Sequence, residues 1–176
     1  GFTSWVAERL AVGDRLRIEG PLGTFVPREG SERPLVFIAG GTGFAPIRAI
    51  VQHFIGLGTR RRMHVYWGAR TPDDLYLRVE GERWATEYPG LVFVPVTGSA
   101  CAGCRCGVVH EAVLADLPEL SGHDVYMSGP PAMIEAACPA LLAAGLPEER
   151  LYYDSFEYAP EVLARILASR AGIAGR

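Results

Sequence analysis

Leu35-Val36-Phe37-Ile38-Ala39-Gly40-Gly41-Thr42-Gly43-Phe44-Ala45-Pro46 decides the fold. Its first five residues are apolar without alternation, as in a strand buried on both faces; a glycine turn comes next, and Pro46 suits the first turn of a helix. Glycine lets backbone amides approach a pyrophosphate with no Cβ in the way, and a helix N-terminus adds partial positive charge. The last position departs from the usual dinucleotide fingerprint, which ends in Gly or Ala. A bare glycine turn is the alternative, but strand, glycine turn and helix in that order are the context a phosphate cradle requires.

Working outward, His64-Val65-Tyr66-Trp67, Leu91-Val92-Phe93-Val94, Asp124-Val125-Tyr126-Met127 and Leu151-Tyr152-Tyr153 are further short apolar runs. Helical patterns over Pro46 to Ile55, Val109 to Leu114 and Pro131 to Ala144 alternate with them. The alternation predicts an α/β fold with a doubly wound, parallel, five-stranded sheet, whose ligands gather outside the carboxyl ends of the strands. Met127-Ser128-Gly129-Pro130-Pro131-Ala132-Met133 repeats the strand-to-helix passage. Its stiff Gly-Pro-Pro exit is expected to aim Ser128 into the cleft, although Pro131 alone would suit a plain helix start.

Upstream, the polar, turn-rich stretch from Pro27 to Pro34 marks a domain boundary. Arg15-Leu16-Arg17-Ile18-Glu19 alternates as a half-buried antiparallel strand does. Fewer than about thirty residues make no domain alone. They are read as the last strands of a barrel or sandwich continuing upstream of Gly1, or as an arm packed on the domain downstream.

The chain of 176 residues, 49% hydrophobic and 21% charged, can bury a sizeable core. A net charge of -3 lacks the basic face that nucleic acid requires, and no apolar run approaches the roughly 20 residues of a membrane span. Four cysteines fall short of a disulfide scaffold, so reduced thiols and a cytoplasmic location are expected. Cys101, Cys104 and Cys106 beside His110 could chelate a metal, but the spacing misses the plant-type iron–sulfur pattern and no metal is assigned. Cys138 is assigned to the core, and His53, His64 and His123 to surface or satisfied positions. Arg60-Arg61-Arg62 reads as a solvated loop or as help in docking an acidic partner.

The order Gly20-Pro21-Leu22-Gly23-Thr24-Phe25, Gly40-Gly41-Thr42-Gly43-Phe44-Ala45-Pro46 and Gly129-Pro130-Pro131 resembles the ferredoxin-NADP reductase superfamily. With Tyr66-Trp67-Gly68-Ala69-Arg70, Asp74-Leu75-Tyr76 and Val109-His110-Glu111-Ala112-Val113-Leu114, it is most similar to reductases of ring-hydroxylating oxygenases or of 3,6-dideoxyhexose biosynthesis. The resemblance implies three parts: residues 1–29 as the C-terminal part of an FAD-binding barrel, 30–158 as an NAD(P)-binding domain, and 159–176 as a helical extension. It implies that Gly40, Gly41, Thr42, Gly43 and Pro46 hold the nucleotide's pyrophosphate and ribose. Ser128, Gly129, Pro130 and Met133 would bring nicotinamide against the flavin. Thr3 or Ser4 would match the flavin-pyrophosphate ligand and Phe156 the aromatic near the flavin ring, with Ser128 and Phe156 the residues at the reacting centre.

The implied activity is hydride transfer from NAD(P)H to FAD, then single electrons to an iron–sulfur protein or oxygenase. A 2Fe-2S cluster would belong to a partner or another domain. Arg70, Asp73 and Asp74 fall where the adenosine ribose would lie, and two carboxylates there would repel a 2'-phosphate; NADH is favoured, with NADPH kept open by Arg70. Two other activities fit the same loops: a nucleotide-binding module without flavin activity of its own, and a reductase of free flavins. Three features depart from the family pattern: Ser128 where Cys is common, an Arg-x-Tyr-Ser flavin motif that would precede residue 1, and the segment after Phe156. There Val162, Leu163, Ile166 and Leu167 have helical spacing.

Overall fold

The computed structural model describes residues 1–20, 22–99 and 102–156; the expected helical extension at 159–176 lies outside them. Leu35–Gly40 forms β1, and all six of its residues are buried. Side chains alternate across a strand, so Leu35, Phe37 and Ala39 enter one apolar cluster while Val36 and Ile38 enter a second on the opposite face. That is why the stretch carries no polar alternation: neither face meets water.

The helix after it, α2 (Phe44–Gly56), covers the first cluster with Phe44, Ile47, Ile50, Val51 and Phe54. Next come β2 (Met63–Ala69), α3 (Arg78–Glu87), β3 (Leu91–Thr97) and the two-residue β4 (Arg105–Cys106). The second cluster is closed by α4 (Val109–Asp116) and, after β5 (Asp124–Gly129), by α5 (Pro131–Ala143), with β6 (Leu151–Ser155) last. All pairings are parallel, in the order β4-β3-β2-β1-β5-β6. The chain winds outward from β1 on one side and restarts at β5 on the other, which makes the crevice beyond β1 and β5 the topological switch point.

Three expectations are corrected. The sheet has six strands, because the short β4 adds an edge that only its pairing with Val96 and Thr97 reveals. Arg15–Glu19 forms no strand: the sole regular element among described residues before β1 is α1 (Phe2–Glu8), and a strand needs a ladder partner that this segment does not find. The third is α3, which polar composition hides. It buries Gly81 and Trp84 alone, and its ion pairs Arg78–Glu82 (2.6 Å) and Arg83–Glu87 (3.7 Å) lie one turn apart. Gly81 is needed there, since a Cβ would stand 2.5 Å from Cζ of Phe93.

The amino-terminal edge of the sheet is tied by Arg61. Its Nη2 bonds Asp124 Oδ2 at 2.6 Å, Nε donates to the carbonyl of Arg33, and Nη1 donates to that of Arg28 at 3.3 Å. Both side chains of the ion pair are about 95% or more buried. Of the Arg60-Arg61-Arg62 run, only the flanking residues are exposed, so it is no continuous basic patch. The Tyr126 hydroxyl accepts the Arg28 amide at 2.8 Å, so the polar boundary segment is lashed to the sheet.

His64 and His123 are half-buried, and desolvation is the main cause that lowers both their pKa values. A group that prefers its neutral form in the fold stabilises above its unfolded pKa, about 6.5, and loses that contribution as pH falls through the folded value. The melting temperature is therefore expected to fall between pH 7 and pH 5, and a His64→Gln/His123→Gln variant should flatten that slope. A wild-type melt independent of pH in this window would contradict it. No helix among the described residues is long and apolar enough to cross a membrane.

Candidate functional site

The β1 and β5 bends meet. Gly41–Gly43 is a single 3-10 turn leading into α2, and Gly129-Pro130 leads into α5 with Pro131 in its first turn. A Cβ on Gly43 would overlap the carbonyl oxygen of Ser128 and lie 2.5 Å from its carbonyl carbon. A Cβ on Gly40 would lie 2.5 Å from Met133 Sδ and 3.0 Å from Pro130 Cδ. Glycine at 40 and 43 is thus the condition for the two loops to share one crevice. Gly41, by contrast, has open space but φ +54, a conformation that favours glycine.

Beside these bends opens a cleft of about 730 Å³. Gly40, Gly41, Thr42, Arg70, Pro130 and Met133 line it, as do Asp73, Asp74, Tyr76, Gly98, Gly107 and Val109. The exposed Thr42 stands where glycine amides and the helix start converge, an arrangement suited to an anionic phosphate. Along the far wall, Asp74 Oδ2 accepts the Thr71 hydroxyl at 2.9 Å and its amide at 3.0 Å. Those bonds, the hydroxyl first, hold the Asp74 carboxyl below its usual range, with Arg70 adding to the effect. Two carboxylates therefore face this end of the cleft.

Several expected residues stand elsewhere. Gly43 and Pro46 shape the turn and helix start without lining the cleft. Ser128 is fully buried and does not line it either, which corrects the expectation of a side chain aimed into it. Strand alternation is the reason: Ser128 shares the face of Tyr126, whereas Met127 packs in the cluster that holds Met133. Among the described residues its Oγ has no hydrogen-bond partner. Phe156 is half-buried and donates its amide to the Gly129 carbonyl at 3.1 Å, near the bend but outside the lining. Thr3 and Ser4 are exposed on α1, and among the described residues they build no flavin cradle with the cleft.

Other cleft residues are ones that motif reading gave no role. Gly98 and Gly107 flank the cysteine loop and carry no fingerprint; the signal that could find them is position alone, just beyond the ends of β3 and β4 respectively. Cys104 is disulfide-bonded, where the cysteine count led to reduced thiols, because a count cannot say which sulfurs fold into proximity. Cys106 is a free, exposed thiol, and Cys138 is free and half-buried against the second cluster. Among the described residues no three His, Cys, Asp or Glu side chains gather as metal ligands.

Comparison with known proteins agrees with this geometry. The family model of the oxidoreductase NAD-binding domain matches residues 37–139. The chain is 40% identical over 158 residues to the CDP-6-deoxy-L-threo-D-glycero-4-hexulose-3-dehydrase reductase of Yersinia pestis, covering 88% of this chain and 47% of that protein. It is 34% identical to the reductase component of propane 2-monooxygenase from Rhodococcus jostii, covering 88% and 44%. Among solved structures, an Amycolatopsis cytochrome P450 reductase superposes with TM-score 0.78 at 34% identity, over 88% of this chain and 47% of that one. The chain spans about half the length of the curated relatives it matches. With a matched nucleotide domain and the glycine crevice at its switch point, the chain belongs to the oxidoreductase NAD-binding domain family.

Proposed function

We propose that this chain is the pyridine-nucleotide half of a flavin-dependent electron-transfer reductase that takes hydride from NADH to FAD and passes single electrons to an iron–sulfur protein or oxygenase. The observation that carries it is the contact between the β1 and β5 bends, which leaves one crevice for the nucleotide. Gly40, Gly41 and Thr42 would hold the pyrophosphate, and Gly129, Pro130 and Met133 the nicotinamide end. Asp73 and Asp74 favour NADH over a 2'-phosphorylated nucleotide. Residues 30–158 form the nucleotide domain in this reading, and residues 1–29 end the flavin-holding part. A cytoplasmic location goes with it.

FAD, when bound, supplies acceptance of a hydride and release of its two electrons one at a time. The chain's own contribution is placement of the nicotinamide. Anaerobic addition of NADH to the flavin-loaded reductase should bleach the flavin. NADH binding without bleaching would favour the second reading, a nucleotide-binding module.

Ser128 offers a finer test. A buried hydroxyl costs about 1–3 kcal/mol when it lacks a partner, and Ser128 Oγ has none among the described residues. Ser128→Ala is expected to leave the melting temperature equal or higher and, because the hydroxyl faces away from the cleft, both NADH affinity and the rate of flavin reduction nearly unchanged. Slower flavin reduction at unchanged affinity would instead put the Ser128 hydroxyl at the reacting centre.

A further inference from the structure

Trp67 lies at the carboxyl end of β2, is fully buried and does not line the cleft. Its indole N–H nevertheless donates to the carbonyl oxygen of Gly41 at 2.9 Å. Two aromatic rings pack on the indole. Phe44 stacks on it at 3.9 Å between centroids and 7° between planes, and Tyr76 meets it edge-on at 5.0 Å. Trp84 extends the stack beyond Phe44 at 5.9 Å.

The Gly41–Gly43 turn has no side-chain cap of its own. The Gly41 carbonyl accepts both the Phe44 amide and the Trp67 indole, which uses its two lone pairs. In a trans peptide the C=O of one residue and the N–H of the next point in opposite directions. Drawing the Gly41 carbonyl towards Trp67 therefore turns the Thr42 amide away from the indole, and Gly41 and Thr42 line the cleft whereas Trp67 does not.

We propose that Trp67 is a positioning residue for nucleotide binding: its bond to the Gly41 carbonyl fixes the Gly41–Thr42 peptide plane so that the Thr42 amide faces the pyrophosphate. The inference rests on the nucleotide-binding reading above. Without the indole donor the Gly41 carbonyl keeps only its bond to the Phe44 amide, and Gly41, at φ +54 and with no Cβ, holds the Thr42 amide less firmly before the ligand arrives.

Trp67→Phe keeps an aromatic ring against Phe44 and Tyr76 and removes the donor together with the second ring, whose loss lowers the melting temperature. Calorimetric titration should give an NADH dissociation constant about ten-fold higher than wild type, in line with one lost hydrogen bond on a preorganised site. ADP-ribose, which carries the pyrophosphate without nicotinamide, should lose affinity by the same factor. NADH affinity within two-fold of wild type, even with a lowered melting temperature, would overturn the proposal and leave Trp67 as packing. A wild-type chain that binds no NADH would instead overturn the nucleotide-binding reading.

Should Trp67→Phe not fold, the wild-type chain carries the test through its indole N–H signals. Trp5→Phe and Trp84→Phe leave Trp67 assigned by elimination. Its indole proton should exchange slowly with solvent and shift when NADH is added. Rapid exchange and no shift would overturn the proposal.

Discussion

Gly43→Ala is expected to destabilise the protein by at least about 3 kcal/mol, the cost of overpacking against atoms that cannot step aside. The native φ is -59, an ordinary helical value, so the loss does not come from backbone strain. It comes from the added methyl, which would overlap the Ser128 carbonyl oxygen and lie 2.9 Å from the Gly129 nitrogen. Those are backbone atoms of β5, bonded into the sheet beside β1, so relief requires parting the two bends. A domain of this size should then melt at least about 6 °C lower and bind NADH poorly. Gly41→Ala is the contrast: its methyl meets open space, and only the positive φ is penalised, by about 1–2 kcal/mol. Equal melting temperatures for Gly43→Ala and wild type would mean that the bends do not touch in solution.

Asp124→Ala should cost about 3–5 kcal/mol, the typical result of stripping one partner from a buried ion pair. Asp124 faces Arg61 at 2.6 Å with both side chains almost wholly inside, and the guanidinium also lies 5.3 Å from the Phe54 ring centroid. Left alone, the Arg61 charge has two backbone carbonyls and, among the described residues, no counterion. Replacing both partners together, Arg61→Met with Asp124→Leu, should recover much of the loss, because desolvating the pair opposes its own attraction. The segment from Arg28 to Arg33 should nonetheless loosen, visible as faster amide exchange at Arg28, since the carbonyl contacts go with the guanidinium. Urea melts of the two single variants and the double variant measure the coupling directly; additive losses would show that the pair is not an energetic unit.

Most strands and the helices after β1, β4 and β5 were legible because burial on two faces leaves an unmistakable apolar run, and because glycine and proline mark where a strand must turn into a helix. What stayed illegible had no local signal. The polar α3 hides one buried face behind Trp84, and β4 exists by virtue of its neighbour. Within the site, Gly40, Gly41, Thr42, Arg70, Pro130 and Met133 could be named in advance and do line the cleft. Gly98, Gly107 and the anchoring role of Trp67 could not, since they act through position and one long-range bond.

By itself the amino-acid order determined an alternating α/β chain with two glycine-bearing exits from buried strands, since strand burial and turn conformation are written in neighbouring residues. Only the packed sheet decided that those exits touch, that Ser128 faces the interior and that Arg61 turns inward to Asp124. Strand order, register and the choice of face depend on atoms far apart along the chain, and no local pattern carries that information.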